Sequence, residues 1–235
     1  MNYIFLEGEA INLCVPTDED FSIWAGWFNN QKVTKFLEQG KFPHTVDEQR
    51  AFYFNAIKSN RFLSLVKSKD NVLLGVISLS EINYEKSSCQ ISLVCPVKSK
   101  SAPMAALEAM ALVAEHAFKR LGMERVWAGQ AYPGLEAWNR ALEIIGFKVE
   151  GFSRNGFVHG WDVSDSVSIA IIKQDFIRLI ERRNGRLWPG AKLAKNVLNE
   201  MKKHESVAGK IKGYIESAHD ENDGVLAEIE SVYAV

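Results

Sequence analysis

Lys98, Ser99, Lys100 and Ser101 directly precede an alanine-rich stretch, residues 102–121, whose apolar positions recur at helical spacing. Two ammonium groups and two hydroxyls at a helix start form a place for a phosphate, because the first four backbone N–H groups there have no intrahelical acceptor. In water the same four residues would be an ordinary solvated loop, and the residue types alone leave both readings open. Three other side chains have the chemistry to move a proton: Glu81 just past the apolar run 72–79, His159 in a late hairpin, and Tyr132 before the turn at Pro133 and Gly134. Each also has a plainer role, as a solvated strand end, a surface hairpin residue and a packed aromatic. His116, inside the long helix, reads as a packed or partly exposed helix residue.

The elements that must position these groups are legible from punctuation and period. Residues 10–15 form a short β-rich run closed by Pro16. Thr17 then caps a helix with Asp18, Glu19 and Asp20 in its first turn, and Phe21, Trp24, Trp27 and Phe28 on its apolar face. Thr45 and Glu48 form a capping box for a second helix, with Ala51, Phe52, Phe54, Ala56 and Ile57 as its expected buried side. Strands are expected at 61–67 and 72–79, joined as a hairpin, and at 90–95. In the helix 102–121, Leu107, Ala111, Ala114, Phe118 and Leu121 point inward, while Glu108, Glu115 and Lys119 are expected to face away; Gly122 stops it. A strand at 125–130, a helix at 135–145 and strands at 158–161 and 167–172 follow. A strand–helix–strand crossover within an otherwise antiparallel sheet makes this an α/β protein. From about Glu181 the chain turns charged and helical, with Leu193, Val197, Met201, Ile211 and Ile215 on one side and a break expected at 220–224. The expected division is therefore a domain at 1–180 and a helical extension at 181–235.

Composition limits the function classes. The chain has 235 residues, 47% apolar and 24% charged, with a formal net charge of −1. That balance suits a sizeable core and lacks the basic stripe of a nucleic-acid binder. Three cysteines without CxxC spacing read as reduced core residues rather than metal ligands, so no metal is expected. With no secretory pattern at the start and no apolar run near the roughly 20 residues of a membrane span, the expectation is a cytoplasmic protein.

Several stretches resemble the GNAT N-acetyltransferases: FNNQKVTKFL, LGVISL, LEAMALVAEHAFKRLGMERV and RALEIIGFKVEGFSRNGF, with Asp165 before a closing strand. They occur in the family's order over roughly residues 10–178. The branch they resemble includes ribosomal-protein N-terminal acetyltransferases and bacterial amino-sugar N-acetyltransferases. The resemblance implies a mixed, mostly antiparallel sheet, splayed in the middle and flanked by helices. It implies acetyl-CoA or another acyl-CoA as co-substrate, its pantetheine pairing with backbone at Val94 and Cys95. Its pyrophosphate would lie on Lys98, Ser99, Lys100, Ser101, Ala102 and Met104, with Asn139 also on the donor side. Glu81 or His159 would take the amine's proton and Tyr132 would protonate the thiolate. Trp24, Phe36, Arg154 and Asp165 fall in the regions that hold the acceptor, and the aromatic group of Trp24, Trp27, Phe28, Phe36 and Phe42 is mostly core.

The chain departs from the family where the phosphate loop carries glycines and an arginine or glutamine. Depending on the alignment, Ser101, Met104 and Ala106, or Ser99, Ala102 and Met104, stand there instead. Leu135, Trp138 and Leu142 replace a usual asparagine, serine and tyrosine. Three functions follow as expectations. The first is an acyl-CoA N-acyltransferase acting on a small primary amine, a nucleotide-linked amino sugar being favoured. The second is a protein N-terminal acetyltransferase. The third is a catalytically degenerate binding protein whose C-terminal helices pack on their own domain or on a second copy.

Overall fold

The computed structural model describes residues 3–37, 39–96 and 102–233. Lys98, Ser99, Lys100 and Ser101 lie outside the described residues. Eight strands form one sheet in the order β1-β2-β3-β4-β5-β6-β8-β7. They are β1 (Ile4–Glu7), β2 (Ile11–Cys14), β3 (Phe62–Ser68), β4 (Leu73–Asn83), β5 (Ser88–Val94), β6 (Arg125–Tyr132), β7 (Lys148–His159) and β8 (Asp162–Ile172). Every pairing is antiparallel except β5 with β6. The helices are α1 (Asp18–Phe28), α2 (Gln31–Thr34), α3 (Val46–Lys58), α4 (Ala102–Lys119), α5 (Glu136–Glu143), α6 (Lys173–Arg182), α7 (Ala191–Met201) and α8 (Val207–Tyr233). Among the described residues, no helix is long and apolar enough to cross a membrane.

The α4 helix crosses one face of the sheet. Its alanines at 105, 106, 109, 111, 114 and 117 are buried together with Leu107, Met110 and Val113. Small side chains let the helix axis lie close to the strands. On the opposite face α1 and α3 cover the sheet through a second cluster of Phe21, Trp24, Phe28, Tyr53, Leu65, Leu73 and Val76. Asp20 ties that layer down: it accepts from the Thr17 N–H at 2.8 Å and the Thr17 hydroxyl at 2.9 Å, and pairs with the buried Lys67 ammonium at 2.8 Å. Both capping helices thus start where Thr17 and Thr45 predict.

Several expectations are corrected. A strand, β1, precedes the first expected one. Glu108 does not face away; it is 1% exposed and accepts hydrogen bonds from the Glu9 and Ala10 N–H groups, the latter at 3.1 Å. Burial raises its carboxyl pKa. The loop it holds is close enough that a Cβ on Gly8 would collide with Glu108 Oε1. In α3 the buried positions are Gln49, Tyr53 and Ala56, spaced i, i+4, i+7, whereas Phe54 and Ile57 are about half exposed. Phe42 is exposed rather than core. The closing strands extend into one long hairpin, β7–β8, with Trp161 in its turn, fully exposed.

The C-terminal part also differs from expectation. α6 was not anticipated, and the boundary drawn at 180 falls inside it; its Phe176 stacks on Phe118 of α4 at 4.7 Å. α8 runs unbroken through 220–224, since Gly224 costs a helix only about 1 kcal/mol and no proline interrupts it. These helices are stitched to the rest by polar contacts. Trp188 Nε1 donates to Glu9 at 2.8 Å, Arg140 donates to the Met201 and His204 carbonyls, and the Ser206 hydroxyl donates to Glu136 at 2.6 Å.

Glu108 therefore anchors the N-terminal hairpin onto α4. Replacing it (Glu108→Ala) strips two N–H groups of their acceptor and leaves a void, an expected loss of about 2–4 kcal/mol in urea unfolding.

Candidate functional site

The parallel pair β5–β6 is joined over only three residue pairs: Ser88 with Arg125, Cys89 with Val126, and Gln90 with Trp127. Beyond them β5 continues beside β4, pairing Ile91 with Leu79 through Val94 with Val76. β6 continues beside β8, pairing Ala128 with Ile169 through Tyr132 with Asp165. The two strands part after Gln90 and Trp127, and their facing edges are left without a ladder. Such an edge offers backbone N–H and C=O groups to an extended ligand.

On the α1–α3 side the fork opens into a cleft of about 580 Å³. Its walls combine aromatic rings (Trp24, Phe28, Phe36, Phe52) with polar groups of β4 and β5 (Ser78, Ser80, Gln90, Ser92) and with Arg61, which directly precedes β3. Strand alternation explains the polar set: Ser78 and Ser80 of β4 share one face, as do Gln90 and Ser92 of β5. The groups are linked across the ladder. Arg61 donates to the Ser78 hydroxyl at 3.1 Å, Ser78 and Ser92 hydroxyls lie 2.8 Å apart, and the Ser80 hydroxyl donates to Gln90 at 3.1 Å. Three nitrogens of the cleft residues are buried without a hydrogen-bond partner among the described residues: Trp24 Nε1, His44 Nδ1 and Arg61 Nε. Trp24 Nε1 and Arg61 Nε are donors only, and buried donors normally find acceptors.

The site residues expected from sequence separate into groups. Glu81, Trp24, Phe36 and Val94 line the cleft. Glu81 lies within β4 rather than beyond it, at φ +50° where the β4–β5 register shifts between Ser80 and Asn83, a bulge that re-aims the side chain. Asn139 sits on α5 on the other side of the fork, 2% exposed, its Oδ1 accepting from Gln130 Nε2 and its Nδ2 buried without a partner among the described residues. Tyr132, two residues along β6 from Gln130, shares that face by strand alternation. Its ring meets Phe152 edge-on at 5.0 Å, and burial raises the phenol pKa, which keeps it protonated at neutral pH. Cys95 follows directly on β5. Ala102 begins α4 with its side chain buried, and Met104 packs against the main core.

His159, Arg154 and Asp165 are not among the cleft-lining residues. His159 Nδ1 donates to the Leu37 carbonyl at 3.0 Å, tying the β7–β8 hairpin to the segment that roofs the cleft. Asp165 accepts from the Asn155 N–H at 3.0 Å and from Lys212 of α8 at 2.6 Å, with exposed Arg154 nearby. Sequence reasoning missed Arg61, His44 and the serine pair. Arg61 and the serines were passed over as strand residues, although polar side chains at period two within apolar strands were the available signal. His44 is brought in by Asn29, whose amide donates to the His44 carbonyl at 2.7 Å and accepts from its N–H at 2.8 Å. Nothing local in the sequence announces that contact. Among the described residues, no group of three His, Cys, Asp or Glu is placed to hold a metal.

The hydrogen bond from Lys212, and then that from the Asn155 N–H, hold the Asp165 carboxyl below its usual range. A depressed acid stabilises the fold above its unfolded pKa, about 3.9, and loses that contribution as pH falls through the lower folded value. Asp165→Asn should therefore speed hydrogen exchange in the first turns of α8 at pH 7, and the wild-type chain should show the same loosening only below about pH 4.

The comparisons with known proteins agree with this geometry. The acetyltransferase (GNAT) domain model matches residues 11–148. No curated protein matches the chain in sequence. Among solved structures, a spermidine N-acetyltransferase from Vibrio cholerae in complex with CoA and spermine superposes with a TM-score of 0.64 at 18% identity, covering 72% of this chain and 99% of that one. An acetyltransferase of the GNAT family from Bacillus anthracis gives 0.59 at 20% identity, covering 74% and 99%. Mycobacterium smegmatis RimJ in complex with CoA-disulfide gives 0.62 at 14% identity, covering 73% and 88%. At these identities the structures carry the fold alone, while the domain model spans more than half of the chain, from β2 through the fork to the start of β7. The chain belongs to the GNAT acetyltransferase family.

Proposed function

We propose that this protein transfers an acetyl or other short acyl group from acyl-CoA to the primary amine of a small molecule rich in hydrogen-bond acceptors, a nucleotide-linked amino sugar being the favoured acceptor. The observation that supports the acceptor is the Arg61 guanidinium in the cleft wall, which has no ion pair among the described residues. A guanidinium carries donors only, so it calls for oxygens such as sugar hydroxyls or phosphates. A polyamine, the ligand of the spermidine N-acetyltransferase structure, is cationic and supplies donors. Among the described residues lining the cleft, Glu81 is the one carboxylate to meet it, opposed by the Arg61 guanidinium. The aromatic walls give a flat ring a stacking surface.

In this reading the pantetheine lies along the edge of β5 at Val94 and Cys95, and the buried Asn139 amide supplies a donor on the α5 side. Lys98, Ser99, Lys100 and Ser101, with the start of α4 at Ala102, take the diphosphate. The amine enters from the cleft and attacks the thioester carbonyl at the fork. Glu81 takes the proton that the amine loses, and Tyr132, protonated and on the donor face, returns one to the thiolate. Holding amine and thioester together supplies several kcal/mol of the barrier.

Acetyl-CoA turnover with nucleotide-linked amino sugars, spermidine and a peptide N-terminus separates the acceptors. The amino sugars should lead; preference for spermidine would refute the acceptor assignment, and a preferred peptide would favour the N-terminal acetyltransferase reading. Glu81→Gln should lower kcat about 100-fold with the best acceptor. The pair Lys98→Ala and Lys100→Ala should weaken CoA binding several-fold in calorimetry, and unchanged affinity would remove the diphosphate from that loop.

A further inference from the structure

Arg61 stands apart from the other buried cations of the fold. Lys67 is 3% exposed and pairs with Asp20 at 2.8 Å. Arg183, whose pKa burial also lowers, donates to two backbone carbonyls, those of Leu187 at 2.7 Å and Ile144 at 2.8 Å. Arg61 is half-buried in the cleft wall, and among the described residues it forms no ion pair. Of its five N–H groups, one meets the neutral Ser78 hydroxyl and the Nε–H is buried with no acceptor. Burial lowers its pKa, with no offset from an anion among the described residues. A guanidinium in that position is costly unless a bound anion completes it.

The group is also held in place. Its carbon lies 5.5 Å from the centre of the Phe52 ring, and Ser78 is in turn bonded to Ser92 on the parting strand β5. A planar fork fixed between an aromatic ring and a hydroxyl suits two-point recognition of a carboxylate or phosphate. Glu81, the opposite charge in the same cleft, is three residues from Ser78 along β4, about 10 Å of strand. The cleft therefore presents a cation and an anion at separate places on its wall.

We infer that Arg61, oriented by Phe52 and Ser78, binds an oxyanion on the acceptor, so that the substrate class is an amine bearing a carboxylate or a phosphate. This rests on the acyl-transfer reading for the word acceptor, though the oxyanion subsite itself can be measured without turnover. Uridine diphosphate represents the phosphate source and glutarate the carboxylate source. Each is titrated by calorimetry into the full chain with CoA present at saturation, so that the donor's own phosphate site is filled. At least one probe should bind, and the tighter one names the source. Arg61→Gln should weaken it at least tenfold, while Arg61→Lys, which keeps the charge and loses the fork, should retain part of the affinity. Thermal melting checks that each variant folds; should Arg61→Gln fail to fold, Ser78→Ala, which removes the orienting hydroxyl, should weaken the probe several-fold. No binding of either probe to the wild type, or equal affinity in Arg61→Gln, overturns the subsite. A separate titration of CoA alone reads the donor: its failure counts against acyl transfer and leaves Arg61-dependent probe binding to be judged on its own.

Discussion

The parting of β5 from β6 is the constraint on which the rest of the molecule depends. Each strand keeps a full antiparallel partner on its outer side, β4 and β8, and the two share a ladder of only three pairs at the stem. An open sheet edge in the middle of a fold is a liability unless something fills it, because its backbone polar groups lie within the protein. Both layers of helices are arranged around that opening. α4 and α5 lie on one side with Asn139 and Tyr132, while α1 and α3 enclose the cleft on the other with Trp24 and Phe52. In the proposed reading, the fork divides the site into a donor side and an acceptor side.

Buried charge is handled with the same economy. Asp20 caps its helix and neutralises Lys67; Glu108 holds the N-terminal hairpin on α4 through two backbone N–H groups; Arg183 is satisfied by carbonyls. Glu9, next to the groups that Glu108 holds, accepts from Trp188, so N-terminal hairpin, central helix and C-terminal extension meet at one polar junction. Against this background the nitrogens Trp24 Nε1, His44 Nδ1 and Arg61 Nε, all on cleft-lining residues, have no partner among the described residues.

Much of the fold was legible because it rests on local rules. Thr17 and Thr45 cap helices wherever their first turns fold, and the alanine-rich stretch after residue 101 has one period. The strands at 90–95 and 125–130 were found from apolar runs bounded by turns. The misses share one cause. Glu108, read by helical phase and charge as solvent-facing, is buried because the turn between β1 and β2 comes from 98 residues away to bond it. The apolar face of α3 was misassigned because Phe52 and Phe54 compete with Tyr53 at nearly the same period, and only docking on β3 decides which side is covered.

Residue type and spacing by themselves determined most of the strands and helices between residues 10 and 172, the resemblance of the motifs in their order pointed to the family, and Glu81, Trp24 and Phe36 were singled out before the fold placed them along the cleft. Those features depend on short-range backbone preferences and on a motif order that the chain carries in one dimension. The separation of Tyr132 and Asn139 from Glu81 across the fork, the use of His159 and Asp165 as ties, and the position of Arg61 on Phe52 were decided by tertiary structure. Each of these depends on which strand lies beside which and on the direction of a side chain at a register shift, and a single residue of slip in β4 would reverse it.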